Sequence, residues 1–295
     1  MDNTDPYFLP QEFPDFELID TGHYQRLERW GSVRIIRPDP QIIWNREASE
    51  EEWSNIYAQF VPSSGEEKGK WKIVHEFKRP WAIRYGQTDL KLDLTPFKHT
   101  GVFAEQATHW AWMLPKLRTA SSPRLKILNL FAYTGAASVI LAQAGAFVTH
   151  VDASKPSVAW AKENQLLNRV PQDSIRWIVD DAVKFVKREL KRGKRYDGII
   201  LDPPAYGHGP SGQVWKFSAH APGLLRDCAD LLSDAASFLV LNAYATNSSA
   251  LALKNLATQI LAPKRGTVVA GELGLQDRAR RLLSTGIFAR WERKS

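Results

Sequence analysis

A single cysteine, Cys228, occurs in 295 residues. That excludes an internal disulfide framework and fits a reducing cytosol. No window approaches the roughly 18 uninterrupted apolar residues of a membrane span. The N-terminal stretch is acidic and proline-containing (Asp2, Asp5, Pro6, Pro10) and lacks the basic and apolar regions of a secretory signal. The 7 histidines show no metal-ligand spacing, and no metal is expected. Neither an internal repeat nor a low-complexity tract is visible. These absences leave a cytoplasmic globular chain without membrane or metal partners, its oligomeric state open.

Charge is present but unevenly placed. Residues 1–98 carry 13 Lys+Arg against 17 Asp+Glu, and residues 99–295 carry 26 against 15. The basic surplus lies in the second part, where an anionic partner such as nucleic acid is the leading expectation. Hydrophobic residues make up 44% of the chain, ample for packed cores.

Residues 1–95 read as a small β-rich domain, after a loosely held tail over 1–17. Short β-prone runs at 25–30, 33–37, 42–44, 71–74, 81–85 and 90–94 are broken by Gly31-Ser32, Pro38-Asp39-Pro40 and an exposed loop over 62–69. A helix is expected over Glu50 to Phe60, capped by Ser49 with Glu51 and Glu52 in its first turn. Five of the 11 tryptophans fall here: Trp30, Trp44, Trp53, Trp71 and Trp81. Exposed aromatics among arginines can stack unpaired bases. A thin β core uses tryptophan too, and that reading is preferred because this part is not basic.

Residues 96–295 alternate strand and helix, the pattern of a parallel sheet covered on both faces. A first helix is expected over Glu105 to Leu117, and strands near 125–131, 147–151, 175–179, 196–201, 237–241, 267–272 and 287–291. The stretch Ile127 to Gly135 organises this part. A buried strand stops at Thr134-Gly135, and a small-residue helix follows at once. Glycine lets the backbone approach a ligand, and the helix start offers unpaired N–H groups.

Polar residues recur at the ends of the strands: Asn129, Asp152, Asp180 or Asp181, Asp202 and Asn242. In open parallel sheets ligands bind outside these carboxyl ends. Any one of the five could be a plain helix cap; five together point to a ligand rim. Asp152 lies where an acidic side chain meets ribose hydroxyls. A nicotinamide dinucleotide would satisfy that feature, but the first turn has one glycine rather than the three of G-x-G-x-x-G. A nucleoside without a diphosphate fits better.

Asp202-Pro203-Pro204-Ala205-Tyr206 forms an acceptor-only corner, because proline has no N–H and holds its backbone rigid. Such a corner suits an exocyclic amino group, with Tyr206 placed to lie against a flat ring. Gly207 to Gly212 follows as a loop suited to closing over substrate. Lys184, Lys187, Arg188, Lys191 and Arg195 recur at helical steps opposite Val183, Val186 and Leu190. A helix that covers a sheet shows this pattern, so the stripe reads as a solvated face.

In combination, N-L-F-A-Y-T-G-A-A-S from Asn129, V-D-A-S-K-P-S-V-A-W-A-K-E-N from Val151, V-D-D-A from Val179 and I-I-L-D-P-P-A-Y from Ile199 resemble the class I S-adenosylmethionine-dependent methyltransferases. The nearest group is the bacterial large-subunit rRNA cytosine-C5 methyltransferases, and Thr100 to Gln106 resembles that group's T-G-x-x-x-D-Q segment. The resemblance covers roughly residues 95–291. It implies a Rossmann-like seven-stranded sheet with the last strand antiparallel, S-adenosylmethionine as cofactor and RNA, most readily rRNA, as partner. It also implies site roles. Phe131, Tyr133, Thr134 and Gly135 would hold the methionine part, with Asn129 behind them. Asp152 and Ala153 would meet the ribose. Asp181 with the Ala182 N–H would meet adenine, Asp180 being the competing choice. Phe103 and Gln106 would close the pocket. Asp202, Pro203 and Tyr206 would face the methyl acceptor, Asp202 bordering the cofactor as well.

The chain departs from that group in three places. Its D-Q-R reads Glu105-Gln106-Ala107, and its PUA domain is not recognisable in residues 1–95. Its nucleophilic cysteine after strand five is replaced by Leu241-Asn242-Ala243-Tyr244. Carbon methylation of a pyrimidine needs a thiolate to add to the ring, and Cys228 sits at helical spacing among leucines, as a core residue does. Transfer to a base nitrogen is therefore expected. A protein or small-molecule methyltransferase, and a non-catalytic RNA-binding scaffold, are the alternatives.

Overall fold

Two periodicities divide the chain, and the computed structural model, which describes residues 7–10, 12–63, 69–119, 124–208 and 214–294, follows them. In order, the first elements are strands β1 (Tyr7–Phe8), β2 (Phe16–Gly22), β3 (Gln25–Trp30) and β4 (Val33–Pro38), helix α1 (Glu50–Ser54), strands β5 (Ala58–Pro62), β6 (Gly69–Ile73), β7 (Trp81–Tyr85) and β8 (Thr88–Leu92), and helix α2 (Ala107–Thr119). Strict alternation begins with β9 (Lys126–Leu130), α3 (Ala136–Gln143), β10 (Phe147–Asp152), α4 (Lys155–Leu167), β11 (Ile175–Val179), α5 (Ala182–Lys191) and β12 (Gly198–Leu201). A hairpin of β13 (Tyr206–His208) and β14 (Val214–Lys216) interrupts it. Then come α6 (Phe217–Leu231), β15 (Phe238–Ala243), α7 (Ala250–Leu261), β16 (Gly266–Gln276) and β17 (Leu282–Arg293). Among the described residues no helix is long and apolar enough to cross a membrane.

Residues 9–107 and the returning segment 274–284 form one compact unit. Its main sheet has the order β2-β3-β4-β5-β6, antiparallel except for the parallel β4–β5 pair, and β7 and β8 form a separate hairpin. A register shift between Leu18 and Asp20 in β2 lets Leu18, Ile19 and Asp20 all be buried in succession. A bulge is the way a strand re-aims a side chain. Here it turns the Asp20 carboxylate inward, where it accepts from the Glu47 and Ala48 N–H groups (3.1 and 2.9 Å) and the Trp53 indole (2.7 Å). Arg281 donates to the same carboxylate and to Asp277, which also accepts from Thr21 Oγ1 (2.7 Å). This network ties the returning segment into the unit.

The tryptophans of this unit are structural. Trp30 and Trp53 are buried and the other three partly so. All five indole N–H groups donate within the unit, to Glu28, Thr21, Asp20, the Thr95 carbonyl and the Trp30 carbonyl respectively for Trp30, Trp44, Trp53, Trp71 and Trp81.

Three expectations are corrected here. The helix expected over 50–60 stops at Ser54, because Ile56, Ala58 and Phe60 are buried in alternation and β5 pairs with β4 and β6. The Ser49 cap is present, its side chain accepting from the Glu52 N–H. The run 42–44 is not a strand; its carbonyls take the His23 and Tyr24 N–H groups across a turn. The tail expected over 1–17 is held where it is described: β1 pairs with β16 and β2 begins at Phe16. The loop centre at 64–68 lies outside the described residues.

The rest of the chain forms the second unit around an eight-stranded sheet, order β1-β16-β17-β15-β12-β9-β10-β11. Strands β9, β10, β11, β12 and β15 are parallel to one another, and β17 runs antiparallel to β15. The seven strands expected are present, and the two-residue β1 adds the eighth. The helix expected from Glu105 begins instead as a 3-10 turn over Ala104–Gln106 and continues as α2. One core lies under α5, α6 and α7, built on Leu128, Leu130, Ile199, Leu201, Leu239 and Leu241 of the central strands. Residues of the opposite parity in these strands face the other helical layer.

Replacing Asp20 by Ala removes one partner from a buried ion pair and orphans several donors, a change that typically costs about 3–5 kcal/mol. Denaturant unfolding followed by tryptophan fluorescence should show a loss of that order; a loss below about 1 kcal/mol would contradict the role given to this carboxylate.

Candidate active site

The strand order reverses direction at β9: β10 and β11 lie to one side of it, β12 and β15 to the other. The carboxyl ends of β9 and β12 therefore flank a topological switch point, the place where open α/β sheets take ligands. Pairing Val151 with Leu130, Leu130 with Leu201 and Leu201 with Leu241 brings Asp152, Phe131, Asp202 and Asn242 level along the rim.

The turn after β9 is tightly constrained. Phe131, Tyr133 and Gly135 all have positive φ (56°, 50° and 81°). Gly135 caps α3 from the left-handed region, and a Cβ there would stand 2.7 Å from the Ala161 Cβ of α4. Asn164 of α4 donates to the Thr134 carbonyl (2.9 Å). The turn is thus pressed onto α4 from one side, and α3 begins at once, with its first N–H groups at the rim.

Asp152 joins this turn to the next. Its Oδ2 accepts from the Tyr133 N–H (2.8 Å) and its Oδ1 from the Ser154 N–H (2.8 Å). Burial raises its pKa above the ordinary carboxylate value, and the two backbone N–H groups oppose that shift. Ala153 is exposed beside it, and Ser154 caps α4 through the Ser157 N–H. At the end of β11 the two aspartates divide. Asp181 caps α5, accepting from the Lys184 N–H (2.9 Å), which leaves the Ala182 N–H at the first helical position. Asp180 accepts from the Asp181 N–H (2.8 Å) and pairs with Arg188.

Asp202 follows β12, its N–H donating to the Leu130 carbonyl (3.3 Å). The Pro204 carbonyl accepts the Trp215 indole N–H (2.7 Å), and the Ala205 carbonyl accepts the Phe217 N–H (2.9 Å). The expected loop after Tyr206 is in part a hairpin, since Tyr206, Gly207 and His208 pair with Lys216, Trp215 and Val214; its tip, 209–213, lies outside the described residues. Tyr206 is 54% exposed. Sequence reasoning missed Trp215, whose ring lies 5.2 Å from that of Phe131 and stacks on His220 at 5.5 Å. The only local signal was the in–out alternation of Val214-Trp215-Lys216.

Two polar strand residues are buried and hydrogen-bonded within the unit. Asn129 is buried and donates to Ser138 Oγ (2.9 Å), which in turn contacts His150 Nδ1 (3.0 Å). Burial brings the His150 pKa down to about 3, so that ring is neutral. Asn242 lies inside β15 and is fully buried, with its Oδ1 2.6 Å from His109 Nε2. Arg290 Nε donates to His109 Nδ1 (2.8 Å), which places the imidazole proton on Nε2 and makes Asn242 Oδ1 the acceptor. Phe103 and Gln106 belong to the other compact unit, Phe103 with its ring 4.9 Å from His99. Cys228 is fully buried in the core, and burial pushes its thiol pKa well up.

The donor set of the rim fits a nucleoside linked to an amino acid. Helix-start N–H groups suit a carboxylate, the Asp152 carboxylate suits paired hydroxyls, and the Asp181–Ala182 step offers both an acceptor and a donor to a heterocycle edge.

Comparison with known proteins agrees. A family described as S-adenosylmethionine-dependent methyltransferase matches residues 50–259. A crystal structure of the SAM-dependent methyltransferase from Agrobacterium tumefaciens superposes with a TM-score of 0.93 at 40% identity, covering 98% of this chain and 93% of that one. A Streptococcus mutans protein described as a SAM-dependent methyltransferase shares the fold at 18% identity, with a TM-score of 0.71 over 95% of this chain and 76% of that one. Among curated proteins, Ribosomal RNA large subunit methyltransferase K/L of Shewanella sp. (strain MR-4) is 36% identical over 120 residues, 40% of this chain and 16% of that protein. Its counterpart in Shewanella baltica (strain OS155) is 32% identical over 150 residues, 50% of this chain and 19% of that protein. The chain thus spans less than a fifth of the length of these curated relatives.

With Asp152 as the proposed ribose contact, its raised pKa predicts a pH dependence for ligand binding. The ionised carboxylate is the form that accepts from both backbone N–H groups and from ligand hydroxyls. Affinity for S-adenosylmethionine should be full above the folded-state pKa and fall as pH drops through it, at a higher pH than an ordinary aspartate would give. Calorimetry across that range in the wild type and in Asp152→Asn checks this: a wild-type profile as flat as the variant's would remove Asp152 from the site.

Proposed function

Starting from a chain that belongs to the S-adenosylmethionine-dependent methyltransferase family, we propose that it methylates a nitrogen of a base in RNA, rRNA being the favoured substrate. The observation that carries this reading is the corner Asp202-Pro203 beside the switch point, level with the Phe131 turn. It presents oxygen acceptors from a carboxylate and a proline carbonyl, and proline contributes no donor. An amino group on a heterocycle offers the complementary N–H donors.

When bound, the cofactor supplies an electrophilic methyl group on a sulfonium centre. Phe131 to Gly135, Asp152 with Ala153, and Asp181 with Ala182 are the residues that would hold it. The protein's own part is placement and proton acceptance. Asp202 and the Pro203 carbonyl accept the N–H donors of the base, which turns the nitrogen lone pair toward the methyl group. The acceptor proton leaves to the Asp202 carboxylate. Holding the reacting atoms in line removes much of the entropic part of the barrier, and a preorganised acceptor pair adds electrostatic stabilisation. A base taken from a stack needs a surface to receive it, and the exposed ring of Tyr206 offers one.

Nitrogen is favoured over carbon because the only cysteine is deep in the core with its thiol pKa raised, far from the thiolate state that ring addition needs. RNA is favoured by the basic surplus of residues 99–295 and by the names of the curated relatives, which act on ribosomal RNA.

Asp202→Asn keeps the size of the side chain and removes its charge. Transfer of labelled methyl groups to rRNA from a strain lacking the gene should fall by about 100-fold or more, with cofactor affinity changed by no more than about fivefold. Nuclease digestion of the labelled RNA should release an N-methylated base. Undiminished transfer by the variant, or label on a ring carbon, would overturn the assignment.

A further inference from the structure

The outer face of α5 has no role in the site described above. Its residues divide sharply by burial. Ala182, Phe185 and Val186 pack into the core, and Lys184, Lys187, Lys191 and Arg195, the last just beyond the helix, are exposed. The helix carries one acidic residue, Glu189, and it points inward. It is 1% exposed, and its carboxylate accepts from the Tyr196 hydroxyl (2.7 Å) and pairs with Arg192 and Arg176. Among the described residues, no ion pair engages Lys184, Lys187, Lys191 or Arg195.

This face is more than the amphipathic pattern requires. Burial of the other side needs polar residues outside, but not residues of one sign. Lys184 with Arg188, and Lys187 with Lys191, are like-charged pairs four residues apart on the helix, which disfavour it, where Glu–Lys alternation would favour it. Lys184 also stands in the first turn, where the helix dipole disfavours a cation. A polyanion laid along the face offsets both penalties.

We infer that this face of α5 is a docking surface for the RNA backbone. The inference rests on the proposed RNA substrate and assigns the surface that holds it. Lys184, Lys187 and Lys191 recur about once per 5.4 Å turn, a line of point charges rather than a pocket, which suits a phosphate chain over a compact anion. The line starts next to the rim, because α5 begins at the Asp181 cap. The helix packs on β10, and β10 and β12 are separated by β9 alone. Two strand spacings, about 10 Å, therefore separate the head of the line from the Asp202 corner in the plane of the sheet. An RNA held on α5 can thus present a displaced nucleotide to the acceptor corner.

The test uses the full chain with Lys184, Lys187, Lys191 and Arg195 all changed to Gln, and a protein-free large-subunit rRNA transcript labelled for fluorescence anisotropy. Wild type should bind with a steep salt dependence. The variant should bind at least about tenfold more weakly at moderate salt, with a log–log salt slope smaller by about 3, since each lost phosphate contact removes 0.7–0.9. Its affinity for S-adenosylmethionine should match wild type within error and its melting temperature should be no lower, which excludes misfolding. Wild-type binding with an unchanged variant slope overturns this inference and leaves the proposed function standing. No wild-type binding to the transcript overturns both. Loss of binding to anionic phospholipid vesicles, with RNA binding retained, assigns the face to a membrane and overturns the inference.

Discussion

The Asp152 carboxylate is the interaction on which the site depends. It receives the Tyr133 N–H with one oxygen and the Ser154 N–H with the other, and so it holds two consecutive strand-to-helix turns in fixed relation. The first turn has three residues at positive φ, of which Phe131 and Tyr133 resist that conformation unless their surroundings hold it. Gly135 answers one part of the strain by having no Cβ, and the approach of Ala161 to 2.7 Å from where that Cβ would stand shows how little room remains. The carboxylate answers another part by pinning Tyr133. Its own burial works against its charge, so the arrangement is maintained by the backbone donors that point at it. A ligand that brings further hydroxyl donors to the same carboxylate completes the set.

The sheet explains why these turns meet the Asp202 corner. Parallel pairing in register puts Phe131, Asp152, Asp202 and Asn242 on one level. The reversal of strand order at β9 opens the rim between the first and fourth parallel strands. The hairpin β13–β14 then closes one side of the corner, because the Trp215 indole is hydrogen-bonded to the Pro204 carbonyl and its ring lies against Phe131. One acceptor of the Asp-Pro-Pro corner is thereby engaged in structure, and Asp202 and the Pro203 carbonyl are the groups proposed to meet substrate.

Much of this was legible in the sequence. Where a buried strand ends abruptly in a polar residue and a helix follows at once, period and punctuation agree, and the strands β9 to β12 and the Ser154 and Asp181 caps follow from them. Three features were not legible, for physical reasons. Whether Glu50 to Phe60 continued as helix depended on pairing of β5 with a strand more than twenty residues away, which overrides a good local cap. Asn129 and Asn242 look like rim residues by position, but hydrogen bonding to Ser138 and His109 spans elements that sequence does not place side by side. Trp215 sits in an unremarkable tripeptide, and only the fold of the hairpin brings it to Pro204. The five tryptophans of the first unit read from charge balance as structural rather than as a nucleic-acid surface; two of them are buried, three partly so, and their indole N–H groups are all engaged internally.

The central claim is that the cofactor lies across the switch point, with its ribose on Asp152 and its sulfur toward Asp202. A crystal structure with S-adenosylhomocysteine tests it most directly. The account predicts ribose hydroxyls within hydrogen-bond distance of the Asp152 carboxylate, the heterocycle beside Asp181 and Ala182, and the sulfur facing the Asp202–Pro203 corner. A nucleoside bound elsewhere, or bound at this rim with its sulfur turned away from Asp202, would contradict it.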